Sequence, residues 1–170
     1  MKKLLIAGLV PVLLSACITP YKDPRSQEKM RQDLTTAVDA LAGTYEVVDS
    51  RLDHDKVDRI VVDRLGNLPI LMFYKNGGKD LVLNTGTAMC TGYVVGEEPA
   101  IRKSVYCTYA HPTYKDVYFR LYNVTNPETI KYQGLLGMMT DTMVVTEGVL
   151  LKFRGSSRNE LTFALRRVAD

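Results

Sequence analysis

The apolar pattern changes period twice along this chain. From Leu4 to Ala16 there is no charged residue and nearly every position is apolar. Between residues 24 and 41, Met30, Leu34, Val38 and Leu41 recur at intervals of three and four with charged residues between them. That spacing predicts one amphipathic helix. Asp23-Pro24 fits an N-cap followed by a proline at the first helical position, and Gly43 fits the stop. From Thr44 onward the period shortens to two. The runs "TYEVVDS", "KVDRIVVDR", "PILMFYK", "KDLVLN", "AMCTGYVV", "RKSVYCTY", "KDVYFRLYNV" and "TIKYQ" are rich in Val, Ile, Tyr and Thr, and "GVLLKF" and "ELTFALRRV" flank "RGSSRN" as a last hairpin. Gly66-Asn67, Asn76-Gly77-Gly78, Thr85-Gly86, Pro99, His111-Pro112 and Asn126-Pro127 punctuate them. The expected fold is mainly β: an N-terminal amphipathic helix followed by an antiparallel β-barrel or sandwich.

The first apolar run follows Lys2 and Lys3, the layout of a secretory signal. It falls short of the roughly 20 apolar residues that cross a bilayer. Its end, Leu14-Ser15-Ala16-Cys17, resembles the lipobox of bacterial lipoprotein precursors. In that family the cysteine thiol receives a diacylglyceryl group, a peptidase cuts just before it, and the new amino terminus is usually acylated as well. The resemblance implies that residues 1–16 are a signal peptide, that Cys17 is the lipidated residue, and that 17–23 form a tether to a single domain over 24–170. It also implies an outer-membrane destination facing the periplasm, because Ile18 stands where inner-membrane lipoproteins usually carry aspartate.

Removing 16 of the 170 residues leaves 154, enough for one domain with a real core. The formal charge then falls from +3 to +1, because Lys2 and Lys3 leave with the leader. A balance so near neutrality points to no nucleic-acid partner. Two cysteines remain, Cys90 and Cys107. In an oxidising compartment an even pair reads as a disulfide. If "GEEPA", 96–100, turns a hairpin about Glu98-Pro99, the two cysteines face each other.

"LAGTYEV", 41–47, is similar to the opening strand of lipocalin-like barrels, with Tyr45 where lipocalins proper carry tryptophan. That resemblance implies that Arg166 or Arg167 on the last strand packs over the ring, and it raises the question of an internal cavity. The chain has no tryptophan, and a helix before the first strand departs from the usual lipocalin order.

Candidate chemistry is sparse. His54 lies among Asp53, Asp55 and Asp58, where imidazole and carboxylates could hold a cation, but Asp between strands is also ordinary turn chemistry. His111 precedes a proline in another turn. No nucleophile elbow, zinc-protease helix or phosphate-binding glycine loop occurs. Glu97 and Glu98 are adjacent, and neighbours on an extended chain diverge. No catalytic residue, metal site or cofactor is assigned, and the chain reads as non-enzymatic. Met138, Met139 and Met143 in "LLGMMTDTMVV" could form a plastic apolar surface or part of a core. Tyr106, Tyr109, Tyr114, Tyr118, Tyr122 and Tyr132 crowd the middle of the chain, and the alternation places Tyr118, Arg120 and Tyr122 on one face. The expectation is an envelope lipoprotein, bound to the bilayer through acylated Cys17, with a recognition role. It would hold an apolar small molecule inside a barrel, or dock an envelope protein or glycan on a face bearing Tyr118 and Tyr122. The 96–100 turn would be the inhibitory loop if the partner were an envelope hydrolase.

Overall fold

A computed structural model describes residues 23–51, 56–86, 88–109, 117–133, 140–155 and 160–169. The leader and Cys17, both histidines, Tyr114, Met138 and Met139 lie outside the described residues. One helix, α1 (Gln27–Leu41), precedes eleven strands: β1 (Gly43–Arg51), β2 (Arg59–Leu65), β3 (Leu68–Lys75), β4 (Gly78–Asn84), β5 (Ala88–Val95), β6 (Arg102–Tyr109), β7 (Val117–Asn123), β8 (Glu128–Gln133), β9 (Thr140–Val145), β10 (Val149–Arg154) and β11 (Leu161–Arg167). Nine of them form one antiparallel sheet in the order β4-β3-β2-β1-β11-β10-β7-β6-β5, and β8 pairs with β9 apart from it.

The helix starts later than its sequence signals suggest. Ser26 is the N-cap, its hydroxyl accepting from the Lys29 amide at 3.2 Å. Asp23 is taken instead by Arg25, whose backbone N–H donates to it at 2.9 Å and whose guanidinium pairs with it at 2.7 Å. The helix ends as expected before Gly43, whose φ of +151° is closed to most residues with a Cβ. The one strand with no counterpart among the ten strand-like runs of the sequence, β9, comes from the methionine-rich segment, where the alternation of Met143 and Val145 against Thr142 and Val144 is short and easily missed.

Side-chain contacts establish that the large sheet is curled. Phe73 of β3 and Phe153 of β10 are four strand positions apart, about 19 Å in a flat sheet, yet their ring centroids are 5.8 Å apart. Phe163 of β11 lies 6.0 Å from the same Phe73 ring. α1 lies in the concavity, touching β5 and β6 at one end of the sheet and β2 and β3 near the other. Its buried stripe of Leu34, Ala37, Val38 and Leu41 joins Tyr45, Ile60, Leu71, Phe73, Val105, Phe119, Leu121, Leu151, Phe163 and Leu165 in one cluster. The architecture is therefore an open half-barrel filled by a helix. The expected antiparallel β fold is present, but no pairing of β4 with β5 closes it into a barrel among the described residues. No described helix is long and apolar enough to cross a membrane.

Three contacts seat the helix. Gly92 of β5 meets the Leu34 backbone so closely that a Cβ there would lie 2.2 Å from the Leu34 Cα. Asp33, almost wholly buried, binds Arg25 at 2.7 Å and Lys29 at 2.8 Å. Burial alone would raise its carboxyl pKa, but the hydrogen bonds from Lys29 and Arg25 outweigh that and hold it below the ordinary range. The Tyr45 hydroxyl donates to the Leu41 carbonyl at 2.8 Å, and the Arg167 guanidinium lies 5.6 Å from the Tyr45 ring centroid. The Cys90–Cys107 disulfide joins directly opposed residues of β5 and β6, in the register expected of a hairpin about Glu98-Pro99.

Gly92→Ala is expected to lift α1 off β5, because the clash is with backbone and no side-chain rotation relieves it. The cost should be about 3 kcal/mol, and the Tm should fall by about 10 °C. Thermal unfolding followed by circular dichroism checks this; an unchanged Tm would mean that the helix is not seated on Gly92.

Candidate functional site

Alternate residues of each strand point away from the core, and the register fixes their order on the convex face. One row runs Tyr93, Ser104, Tyr122, Leu150 and Ala164 across β5, β6, β7, β10 and β11. The next runs Thr91, Tyr106, Arg120, Lys152 and Thr162 across the same strands. The β8–β9 hairpin packs on this face. Ile130 and Tyr132 from β8, with Met143 and Val145 from β9, enclose Tyr122, Leu150 and Ala164 in a second small core. The salt bridge of Arg51 with Asp141, at 2.6 Å, and that of Arg102 with Glu128, at 2.7 Å, tie the hairpin down.

Between the hairpin and the free edge of β5 the convex face is open. Tyr93, Tyr106, Tyr118, Arg120, Lys152 and Glu160, with Ser104 at the base, line a groove of about 590 Å³. A second depression of about 280 Å³ shares Tyr93, Ser104 and Arg120 and adds Val95 and Arg102. The Tyr106 and Tyr118 rings stand 5.7 Å apart at 47°, an aromatic wall one ring deep. The Tyr118 hydroxyl donates to the Glu160 carboxylate. Burial first, and then Glu160, pushes the Tyr118 phenol up to about 12. This phenol therefore stays protonated at neutral pH and offers contact area and a fixed donor, not a base.

The cations are the unusual feature. Arg120 and Lys152 are directly opposed on β7 and β10. Like charges in that relation repel and destabilise a sheet. Several other basic residues are paired, among them Arg25 with Asp33, Arg51 with Asp141, Arg102 with Glu128, Arg64 with Asp39 and Arg166 with Glu46, whereas these two like charges face each other. Among the described residues neither Arg120 nor Lys152 has an ion pair; the contact of Arg120 is with the Tyr122 ring, 5.2 Å from its centroid. Glu160 brings one negative charge to the same groove, engaged by Tyr118. The arrangement can hold an anionic group over Arg120 and Lys152 with a flat or apolar portion against Tyr106. Among the described residues no group of three or more His, Cys, Asp or Glu side chains could hold a metal ion.

The sequence-based candidates divide. Tyr118 and Tyr106 line the groove. Tyr122 does not belong to an open surface: it is 2% exposed beneath the β8–β9 hairpin, its hydroxyl donating to Glu128 at 3.0 Å. Met143 is likewise no surface residue, at 1% exposure in the same second core. Tyr109 points into the main core, where burial pushes its phenol up to about 12. Tyr93, Lys152 and Glu160 were missed as site residues, because they come from three other segments that only the folded order brings beside Tyr118. The alternation of β7 did carry a signal for Arg120, which shares a face with Tyr118.

Compared with protein-family models, curated proteins and solved structures, the chain matches none.

Lys152→Glu is expected to turn the repelling cross-strand pair into an attractive one and to stabilise the fold by about 0.2–1 kcal/mol. The gain should shrink as salt screens the exposed pair. Denaturant titrations of both proteins at low and high ionic strength check this; a destabilised variant at low salt would show that Lys152 is structurally required.

Proposed function

We propose that this protein is a lipid-anchored envelope lipoprotein, held by acylated Cys17 in an outer membrane and facing the periplasm. Its role is non-enzymatic: it recognises an anionic envelope component on the convex groove between β5 and β10. The observation that carries the reading is the directly opposed Arg120 and Lys152, without an ion-pair partner among the described residues, beside the half-exposed Tyr106. A fold that keeps two like charges face to face loses a little stability, and an anion bound between them recovers it. The anchor rests on the Leu14-Ser15-Ala16-Cys17 box and the charged, then apolar, leader before it. Several acyl chains hold a protein on a membrane where one does not.

Recognition on the outside is favoured over carriage inside. A carrier needs an apolar cavity of a few hundred Å³, whereas α1 and the strand side chains occupy the concavity as one buried cluster. The groove opens on the opposite face of the same strands.

The test is complementation of a deletion strain, with palmitate labelling of each variant. Cys17→Ser is expected to lose the label. Arg120→Glu combined with Lys152→Glu should keep the label and a wild-type Tm, and should fail to complement. Full complementation by the double variant would remove the groove from the function, and palmitate retained on Cys17→Ser would remove the anchor.

A further inference from the structure

We propose that the anionic component met by this groove is the phosphate headgroup layer of the bilayer itself, so that the domain lies down on the membrane along its β5 edge. This rests on the reading of Cys17 as the lipid anchor and names the partner of the same site. The outward row of β5 is open and, apart from Thr91, apolar or aromatic: Met89 is 75% exposed, Tyr93 38% and Val95 63%. Large apolar side chains grouped at that exposure mark an interaction surface. β5 is also the last strand of the sheet among the described residues, so no described strand beyond it shields the row.

Behind the apolar rank stands a basic one. Arg120 and Lys152 follow Tyr106 on the next strands, while Arg102, opposite Val95, is already paired with Glu128. Apolar and aromatic tips at the rim with cations set back from them is the order of a face that rests on a bilayer. The tips enter the interface, tyrosine sits at headgroup depth, and the cations meet the phosphates.

The first described residues lie at this same edge. Arg25 donates to the Gly92 carbonyl of β5 at 2.8 Å, and its guanidinium lies 4.2 Å from the Tyr93 ring centroid. Residues 18–23 span at most about 20 Å when fully extended, so a lipid on Cys17 keeps β5 within reach of the bilayer surface. A soluble glycan would use the tyrosines and cations but leave Met89 and Val95 without a purpose. A protein partner would give no reason for Arg25, two residues after the tether, to join the wall of the groove.

The experiment uses the full lipidated chain, purified from membranes and reconstituted into vesicles of phosphatidylcholine alone or mixed with phosphatidylglycerol. Cys17 would be blocked by its lipid and Cys90–Cys107 are joined, so a thiol introduced by Met89→Cys, Val95→Cys or Leu65→Cys takes a single environment-sensitive fluorophore. All three positions are exposed, and Leu65 belongs to β2, away from the groove. Labels at 89 and 95 are expected to brighten several-fold in vesicles containing phosphatidylglycerol and to be quenched by nitroxide-bearing lipids, while the label at 65 is not. Arg120→Glu with Lys152→Glu should cut that quenching at least two-fold. Equal quenching at all three positions, or none at 89 and 95 in a chain that floats with the vesicles, overturns the docking and leaves the anchor standing. A chain that does not float with the vesicles removes the anchor, and this proposal with it.

Discussion

The seating of α1 against the concave side of the sheet is the constraint on which the rest depends. A nine-stranded sheet curled this far exposes a long inner row of Val, Leu, Ile and Phe, and it must close on itself or be filled. Here it is filled. Gly92 lets the helix backbone approach β5 at a distance no other residue permits, and the buried Asp33 is satisfied by Arg25 and Lys29. Each large side chain so enclosed contributes about 1.5–3 kcal/mol relative to exposure. The helix thus replaces the β4–β5 pairing that would complete a barrel. The disulfide reinforces β5 against β6, its one neighbour in the sheet.

A filled interior moves chemistry outward. On the convex face the β8–β9 hairpin covers one half, sealing Tyr122 and Met143 beneath it, and leaves the other half open. The open half combines aromatic walls, two opposed cations and an apolar edge strand. Arg25 belongs to both systems, because it satisfies Asp33 in the helix seat and lies against Tyr93 at the rim of the groove. Loosening the helix would therefore disturb the groove as well.

Local periodicity made much of this legible. The stripe Leu34, Val38 and Leu41 identified the helix, and the symmetric spacing of Cys90 and Cys107 about Glu98-Pro99 gave the hairpin register that the structure shows. Asp23-Pro24 misplaced the helix start because the sequence could not show that Arg25 would claim the Asp23 carboxylate, leaving Ser26 as the cap. Alternation placed Tyr118 and Tyr122 on one face correctly but could not separate them. Which of the two is covered depends on where a distant hairpin folds back, and β9 gave only a brief pattern. The opposition of Arg120 and Lys152 was invisible for the same reason: their strands are neighbours in the sheet but separated in sequence by the β8–β9 hairpin.

The claim that binding is external and the interior is full is tested most directly by native mass spectrometry. Residues 18–170 would be carried to the periplasm by an ordinary signal and purified without denaturation. The account predicts the mass of the bare chain less two hydrogens for the Cys90–Cys107 bond, with no retained small molecule. A persistent adduct of lipid mass that survives Arg120→Glu with Lys152→Glu would contradict it, because a molecule held independently of the groove could be enclosed only where α1 is placed here.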